Sequence, residues 1–145
     1  MTTNPSSWLG IDVGQKRIGI AIASDEARLP KSLPTLNNDN SSMMHIKALV
    51  EQYSVAGIIV GLPHNLDGDE TQQSQQIRDF AGKLHKVLGK PLYFQDETLS
   101  SVRAREELES RKIAYNKEDV DALAAVLILT DWLDVYLSGE SSEKK

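Results

Sequence analysis

The sequence predicts an α/β fold, in which a mixed sheet of five strands is flanked by helices in the order βββαβαβαα. The chain opens with two alternating apolar segments, residues 8–14 and 18–23, separated by a short connection, which is the pattern of a β-hairpin. Strand-like and helix-like patterns then alternate along the remaining chain. The length of 145 residues suits one domain, which we place at 8–137 with flexible tails at 1–7 and 138–145.

The remaining strands are predicted from shorter segments. Residues 28–36 form the third strand, and Pro30 and Pro34 place it at an edge of the sheet, because proline donates no ladder hydrogen bond. The fourth strand covers the β-branched run 55–60, whose continuous apolar character indicates burial on both faces. The fifth covers 92–94, and we expect the first three strands to be antiparallel.

Four helices are predicted from apolar residues spaced three and four apart. They cover residues 43–53, 77–88, 102–111 and 118–137. Ser41 or Ser42 is expected to cap the first helix. Gly89 and Pro91 are expected to end the second.

The composition limits the kinds of protein this chain can be. A net charge of −5 and a pI near 5.2 argue against binding nucleic acid through overall positive charge. The lack of cysteine excludes disulfides, thiolate catalysis and Cys-ligated zinc, and it fits a reducing compartment. No apolar run approaches the roughly 18 residues that span a bilayer, and no secretory signal is recognised. We therefore expect a cytoplasmic protein without membrane association.

Asp12 lies inside the first predicted strand, where fold stability does not explain an acidic residue. Strand alternation puts it on one face with Trp8, Gly10 and Gly14. If helices cover that face, the carboxylate is costly to bury unless it is paired or binds a metal, while the glycines leave room for a ligand. The alternative is a turn aspartate that serves Gly14.

Asp121 lies on the apolar face of the last predicted helix. The residues that share this face are Ala124, Ala125, Ile128 and Trp132. The alternative role is to complement the helix dipole, worth about 0.3–1 kcal/mol. Three residues nearer the helix start already serve that role, Asn116, Glu118 and Asp119. The two alanines would let the helix approach the first strand, so that Asp12 and Asp121 could meet.

Glu97 is the third candidate acid, with Asp96 as its rival. It follows the fifth strand, at the end where open α/β sheets place their ligands, although such a stretch is often a solvated loop or a helix cap. Three carboxylates on separate elements that reach one point are what Mg²⁺ or Mn²⁺ requires. Such ions activate water and stabilise the leaving oxygen of a phosphodiester, which would reconcile an acidic protein with a nucleic-acid substrate.

Four motifs follow one another between residues 8 and 137. They are GIDVGQKRIGIA at 10–21, IVGLPHNLDG at 59–68, DETLSS at 96–101 and VDALAA at 120–125. Together they resemble the YqgF (RuvX) family of bacterial RNase H-like proteins, described as Holliday junction resolvases and as nucleases that mature the 5′ end of pre-16S ribosomal RNA. The resemblance implies an RNase H-like fold and a metal-dependent endonuclease, whose catalytic acids and metal ligands are Asp12, Glu97 and Asp121.

The basic residues of this chain depart from the family pattern. Thr98 stands where the family usually has arginine, and the loop between the last two helices carries only Lys112 and Lys117. Substrate binding is therefore expected to depend more on four other basic residues, Lys16, Arg17, Arg103 and Arg105.

The sequence of the loop at residues 61–68 has two interpretations. Pro63, Asn65, Asp67 and Gly68 could simply encode a tight turn. The family resemblance instead implies a loop that positions the substrate, in which His64 would donate to a phosphate.

Three functions remain open at this stage. The leading one is a metal-dependent endonuclease that acts on structured or precursor RNA, as a monomer or a weak homodimer. The second is a resolvase of four-way DNA junctions, which would use the same carboxylates on a differently shaped substrate. The third is a non-catalytic, ribosome-associated binding module. The actin-like ATPases and sugar kinases share a similar first motif, but they need two such domains and the chain is too short.

Overall fold

The structure, a computed structural model, describes residues 6–24, 26–63, 71–97 and 100–143, and for Ser100 and 137–143 it describes the backbone alone. The five strands are β1 (Ser7–Val13), β2 (Arg17–Ser24), β3 (Lys31–Asn37), β4 (Val55–Leu62) and β5 (Leu92–Asp96). The four helices are α1 (Ser42–Gln52), α2 (Gln72–Leu88), α3 (Ser100–Ser110) and α4 (Lys117–Glu143). The predicted element order is confirmed.

The strands form one mixed sheet in the order β3-β2-β1-β4-β5. The pairs β1–β2 and β2–β3 are antiparallel, and the pairs β1–β4 and β4–β5 are parallel. β3, which contains Pro34, forms one edge, as predicted. The strand that carries Asp12 is the central one, with a hydrogen-bonded neighbour on each side.

Three element boundaries differ from the predicted ones by more than two residues. α2 starts at Gln72 and not at Ile77, because Thr71 and Ser74 form a capping box before the first apolar residue of the helix. β3 starts at Lys31, because Arg28 has a φ of 58° in the turn that follows β2. α4 continues through Glu143, so residues 138–143, which were expected to be frayed, belong to the helix.

The two faces of the sheet carry separate apolar cores. Leu9, Ile11 and Val13 point to the face covered by α1 and α2. Ala21 and Ile59 point to the opposite face, which α4 covers, and α3 packs on the outer side of α4. No helix among the described residues is both long and apolar enough to cross a membrane.

An aromatic cluster fixes the C-terminal half of α4 to the start of β1. Trp132 lies 5.2 Å from Trp8, 5.2 Å from Tyr93 and 4.6 Å from Tyr136, measured between ring centroids. Gly57 makes room for the Trp8 ring, since a Cβ there would come within 2.7 Å of it. The opposite half of α4 is thereby directed along the sheet toward Asp12.

Candidate active site

Asp12 is a buried acid at the centre of the sheet, with 8% of its surface exposed. It pairs with Gly19 across the β1–β2 ladder. On the other side, Gly10 and Ile11 pair with Ile59 and Val60, so the next step of the parallel register brings Gly61 beside Asp12. The three residues form a line across three strands, here called the Gly19–Asp12–Gly61 row.

Asp121 is brought to this row by the first turns of α4. A Cβ at Gly19 would overlap the Asp121 carbonyl group, so the helix backbone lies directly on that glycine. Asn116 and Asp119 exchange hydrogen bonds between side chain and backbone at 2.9 Å, which caps the helix start. Asp121 is therefore not needed as a cap, and the predicted meeting of Asp12 with Asp121 is supported by the geometry.

Glu97 occupies the other end of the row. Its backbone N–H donates to the Leu62 carbonyl at 3.5 Å, which continues the β4–β5 pairing by one residue. Its Cγ and Cδ lie 2.9 Å from the position that a Cβ on Gly61 would take. The side chain thus folds back across Gly61 toward Asp12, whereas the neighbouring Asp96 is exposed.

The glycines two residues before and after Asp12 do not leave a ligand cavity on the Asp12 face of the sheet, contrary to the expectation from the sequence. The space at Gly10 is filled by α4, because a Cβ there would lie 2.8 Å from Leu129 Cβ and 3.1 Å from the Ala125 carbonyl. The space at Gly14 is taken by the hairpin turn, where the Arg17 carbonyl would lie 2.8 Å away. These glycines permit close packing of the backbone around Asp12.

The electrostatic environment strongly disfavours the charged form of Asp12. Burial raises the pKa of Asp12 well above 3.8, and the negative charges of Glu97 and Asp121 raise it further. Within the described residues, no hydrogen bond or ion pair compensates the Asp12 charge. Glu97 and Asp121 are therefore each close enough to repel the Asp12 carboxylate.

Arg17 forms an ion pair with one of these acids. Its Nε donates to Asp121 Oδ2 at 2.7 Å, and the two side chains are 27% and 21% exposed. Arg17 was predicted to bind substrate, and in the structure it pairs with a candidate metal ligand. It offsets part of the negative charge of the cluster.

The donor set at the row fits a hard divalent cation. All three acids offer oxygen, which Mg²⁺ and Mn²⁺ prefer, and Asp12 is a buried charge that lacks a positive partner among the described residues. Nevertheless, in the part of the chain that the structure describes, no three acidic or histidine side chains converge tightly enough to form a metal site. The other two carboxylates lie near Asp12, but the three do not form a coordination shell.

The remaining predicted substrate residues are scattered. Lys16 is exposed in the β1–β2 turn. Arg103 donates from Nη1 to Asp131 Oδ2 at 2.7 Å, an ion pair between α3 and α4 that lies ten residues, or about 15 Å, beyond Asp121 along the helix. Arg105 is exposed on α3. The loop residues His64, Asn65 and Asp67 lie outside the described residues, as does Thr98.

A comparison with known families decides where the chain belongs. The sequence model of the RuvX family, described as Holliday junction resolvase, matches residues 6–135. The chain belongs to the RuvX family. A relative from Crocosphaera subtropica is 38% identical over 132 residues, which cover 88% of this chain and 92% of the relative. A relative from Lactobacillus acidophilus is 33% identical over 136 residues, which cover 88% of this chain and 96% of the relative.

Both RuvX relatives carry the provisional name pre-16S rRNA nuclease. The family description and these names both denote enzymes that cut nucleic acid, so the chain is an enzyme of a nuclease family. Among solved structures, RuvC of Thermus thermophilus in complex with a Holliday junction substrate superposes with a TM-score of 0.56. The superposition covers 91% of this chain and 96% of the RuvC chain, at 14% sequence identity, and it confirms the predicted RNase H-like fold.

Sequence reasoning missed two residues and one pairing at the candidate site. Gly19 and Gly61 seat Asp121 and Glu97, and the signal was available, since glycine inside a strand often marks a close backbone approach. The Arg17–Asp121 pair joins residues 104 positions apart. No local pattern could have indicated that pair.

Proposed function

We propose that this chain is a divalent-cation-dependent endonuclease that hydrolyses phosphodiester bonds at the 5′ end of precursor 16S rRNA. The proposal rests on one observation. Glu97 and Asp121, from two separate elements, lie close to the buried carboxylate of Asp12, which belongs to a third element. Family membership and the names of the curated relatives support the choice of substrate.

Each acid has a distinct role in this proposal. Asp12 and Asp121 would hold Mg²⁺ or Mn²⁺. Glu97, directly after β5, would either complete the ligand set or orient the attacking water. The cation would supply charge neutralisation at the phosphate and lower the pKa of the water. Asp12 is fixed by the central strand, whereas Arg17 holds Asp121 in place.

Resolution of four-way DNA junctions is the second candidate function. It is favoured by the family description and by the fold shared with a junction-bound RuvC. The same three carboxylates would act in it, so the two functions differ in substrate shape and in whether two active sites are paired in a dimer.

The decisive assay offers a precursor-rRNA segment and a DNA four-way junction side by side, with Mg²⁺ or Mn²⁺ and with EDTA. We expect cleavage of the RNA that requires the cation and is lost in Asp12→Asn. Asp134→Asn is the matched control, because Asp134 is an exposed acid of α4 about 20 Å beyond Asp121.

The outcomes of this assay separate the three functions. Faster cleavage of the junction favours the resolvase. Cleavage that survives in Asp12→Asn contradicts the assignment of Asp12 to the active site. Binding of RNA without any cleavage would point to the non-catalytic module.

The remaining predictions belong to the same proposal. We propose that the enzyme acts in the cytoplasm, as one domain spanning residues 8–137, and as a monomer or weak homodimer. Lys16, Arg17, Arg103 and the loop residues His64, Asn65 and Asp67 remain candidates for substrate contacts. The Arg17 and Arg103 side chains would have to leave their acidic partners to reach a phosphate.

A further inference from the structure

A cleft lies near Asp12 on the opposite face of the sheet. It has a volume of about 310 Å³ and is bordered by the end of β1, the β1–β2 turn, the β3–α1 loop and the first half of α2. Four side-chain amides and one aromatic ring line it, from Gln15, Asn38, Gln73, Gln76 and Phe80. We refer to it as the amide cleft.

The amide cleft continues into a second one along α2. The second cleft, of about 400 Å³, shares Asn38, Gln76 and Phe80 with the first and extends to Lys83. The two form one groove that leads away from the end of β1. The volume of each is at the lower end of the roughly 300–1,000 Å³ found for small-ligand sites, which suits a single nucleotide.

One wall of the amide cleft is held rigidly. Asn38 donates from its side chain to the Gly14 carbonyl at 2.7 Å and from its backbone to the Lys16 carbonyl at 2.8 Å. The buried Ser42 hydroxyl donates within the same loop, lying 2.8 Å from the Asn37 carbonyl. The β3–α1 loop is thus tied to the β1–β2 turn before any ligand arrives, which lowers the entropic cost of binding.

The opposite wall presents hydrogen-bonding groups that are not used within the described structure. Gln73, Gln76 and Phe80 lie on one stripe of α2, at spacings of three and four. The side chains of Gln73 and Gln76 make no hydrogen bond with the described residues, whereas Gln75 on the neighbouring stripe bonds Asp79 at 3.4 Å. The amides facing the cleft are therefore available to a ligand.

The chemistry of the amide cleft fits a nucleoside. Each amide both donates and accepts hydrogen bonds, as do base edges and the ribose 2′-hydroxyl. An aromatic ring such as Phe80 provides a stacking surface for an unpaired base. Among the described residues no positive side chain lines the first cleft, so a phosphate is a poorer match.

We propose that the amide cleft binds one unstacked nucleotide of single-stranded RNA that flanks the phosphate held at Asp12. Gly14 borders the cleft and is two residues from Asp12 along β1, about 7 Å. An RNA strand that crosses the end of the sheet would therefore contact both places. The inference rests on the proposed function and adds the form of the substrate, which is unpaired and contains ribose.

The test measures binding of a short single-stranded RNA, and of DNA with the same sequence, by fluorescence anisotropy in EDTA with the full chain. We expect Gln76→Ala to weaken RNA binding about three- to tenfold, as for one or two lost hydrogen bonds. Gln75→Ala, the same change one residue away, should stay within about twofold of the parent chain. The parent should bind RNA more tightly than DNA.

Side-chain amide signals in nitrogen-15 NMR give a second readout that does not depend on mutants. On titration with the RNA, the signals of Gln73 and Gln76 should shift, whereas those of Gln72 and Gln75 should not. Equal losses in Gln76→Ala and Gln75→Ala, or equal affinity for RNA and DNA, would overturn the proposal.

The inference and the proposed function can fail separately. Binding in EDTA does not require catalysis. If no substrate is cleaved but Gln76→Ala still loses RNA affinity, only the nuclease proposal fails. If cleavage is normal in Gln76→Ala and its RNA affinity is unchanged, only the amide-cleft proposal fails.

Discussion

At the scale of single residues, the site is governed by one unfavourable charge. Asp12 is buried beside two other acids, and the Arg17 guanidinium bonds Asp121 and not Asp12 itself. A buried charge without a partner costs stability. Such a cost in a central strand is typical of a residue kept for its chemistry.

Replacing Asp12 by asparagine is expected to stabilise the cation-free protein at neutral pH. Because folding raises the pKa of Asp12, the native chain keeps a proton where the unfolded chain has lost it, and the free energy of unfolding falls as the pH rises above 3.8. Asp12→Asn removes this loss, so its advantage should grow with pH and vanish below 3.8. A gain of 1 kcal/mol would raise the melting temperature by about 4 °C.

Urea unfolding in EDTA at several pH values measures this effect. Asp134→Asn removes an exposed charge from α4 and should change stability little at any pH. A lower stability of Asp12→Asn across the whole pH range would show that Asp12 is a structural residue.

The Arg17–Asp121 pair should behave as a coupled unit in a double-mutant cycle. We expect a coupling of about 0.5–1 kcal/mol in the unfolding free energy of Arg17→Gln and Asp121→Asn, because the pair is partly exposed to solvent. Arg17→Gln should also bind Mn²⁺ a few-fold more tightly, since no guanidinium then competes for Asp121. Isothermal titration calorimetry measures this affinity.

Lys16→Gln is the control for that cycle. It removes the same charge from the adjacent position, where the side chain is exposed. Additive effects of Arg17→Gln and Asp121→Asn, or weaker Mn²⁺ binding in Arg17→Gln, would argue instead for a direct role of Arg17 at a phosphate.

At the scale of elements, the site depends on how closely α4 approaches the sheet. Gly19 and Gly10 allow the helix backbone to touch β2 and β1, and the buried Ala125 removes bulk from the helix side. Ala124, which was expected to do the same, packs against α3 instead. Gly61 performs a similar role for the Glu97 side chain.

Gly19→Ala should destabilise the protein by about 2–3 kcal/mol, because the new methyl group would overlap backbone atoms of Asp121. Thermal unfolding measures this loss of stability. The cleavage rate of the folded protein should also fall, because Asp121 is displaced. Gly82→Ala is the matched control, since a Cβ at that exposed helical glycine meets nothing within 4 Å. It should be neutral or stabilise by about 0.5–1 kcal/mol. Equal effects of the two changes would contradict the close approach.

Much of this arrangement could be predicted from the sequence, because it follows from local periodicity. Strand alternation correctly placed Asp12 on the face away from Ile11, and helical spacing placed Asp121 beside Ala125. The start of α2 was wrong because a polar capping box carries no apolar signal. The prediction of ligand space at Gly10 was wrong because what fills that space depends on which helix covers the strand.

At the scale of the whole molecule, an acidic protein has to bind a polyanion. Its net charge is −5, and the side chains of Arg17, Arg103 and Arg111 are each paired with an acid. The proposed recognition through neutral amides and a bound cation would avoid the need for a basic surface.

The affinity for RNA should therefore depend weakly on salt. Each phosphate neutralised on a single strand contributes about −0.7 to the slope of log K against log salt, and we expect a slope no steeper than about −2. Binding isotherms over a range of KCl concentrations at fixed Mg²⁺ measure it. A much steeper slope would indicate a basic surface formed by residues outside the described ranges.

The central position of β1 has a consequence for how the protein opens. Hydrogen exchange is slowest in strands paired on both sides, so the amides around Asp12 should exchange only through global unfolding. Glu97 directly follows an edge strand and Asp121 lies in the first turns of a helix, where local opening costs less free energy. Adding Mn²⁺ should therefore slow exchange near residues 96–97 and 117–122 far more than in β1. In the proposed site the cation would then stabilise the backbone around two of the ligands, whereas the third is already held by the central strand.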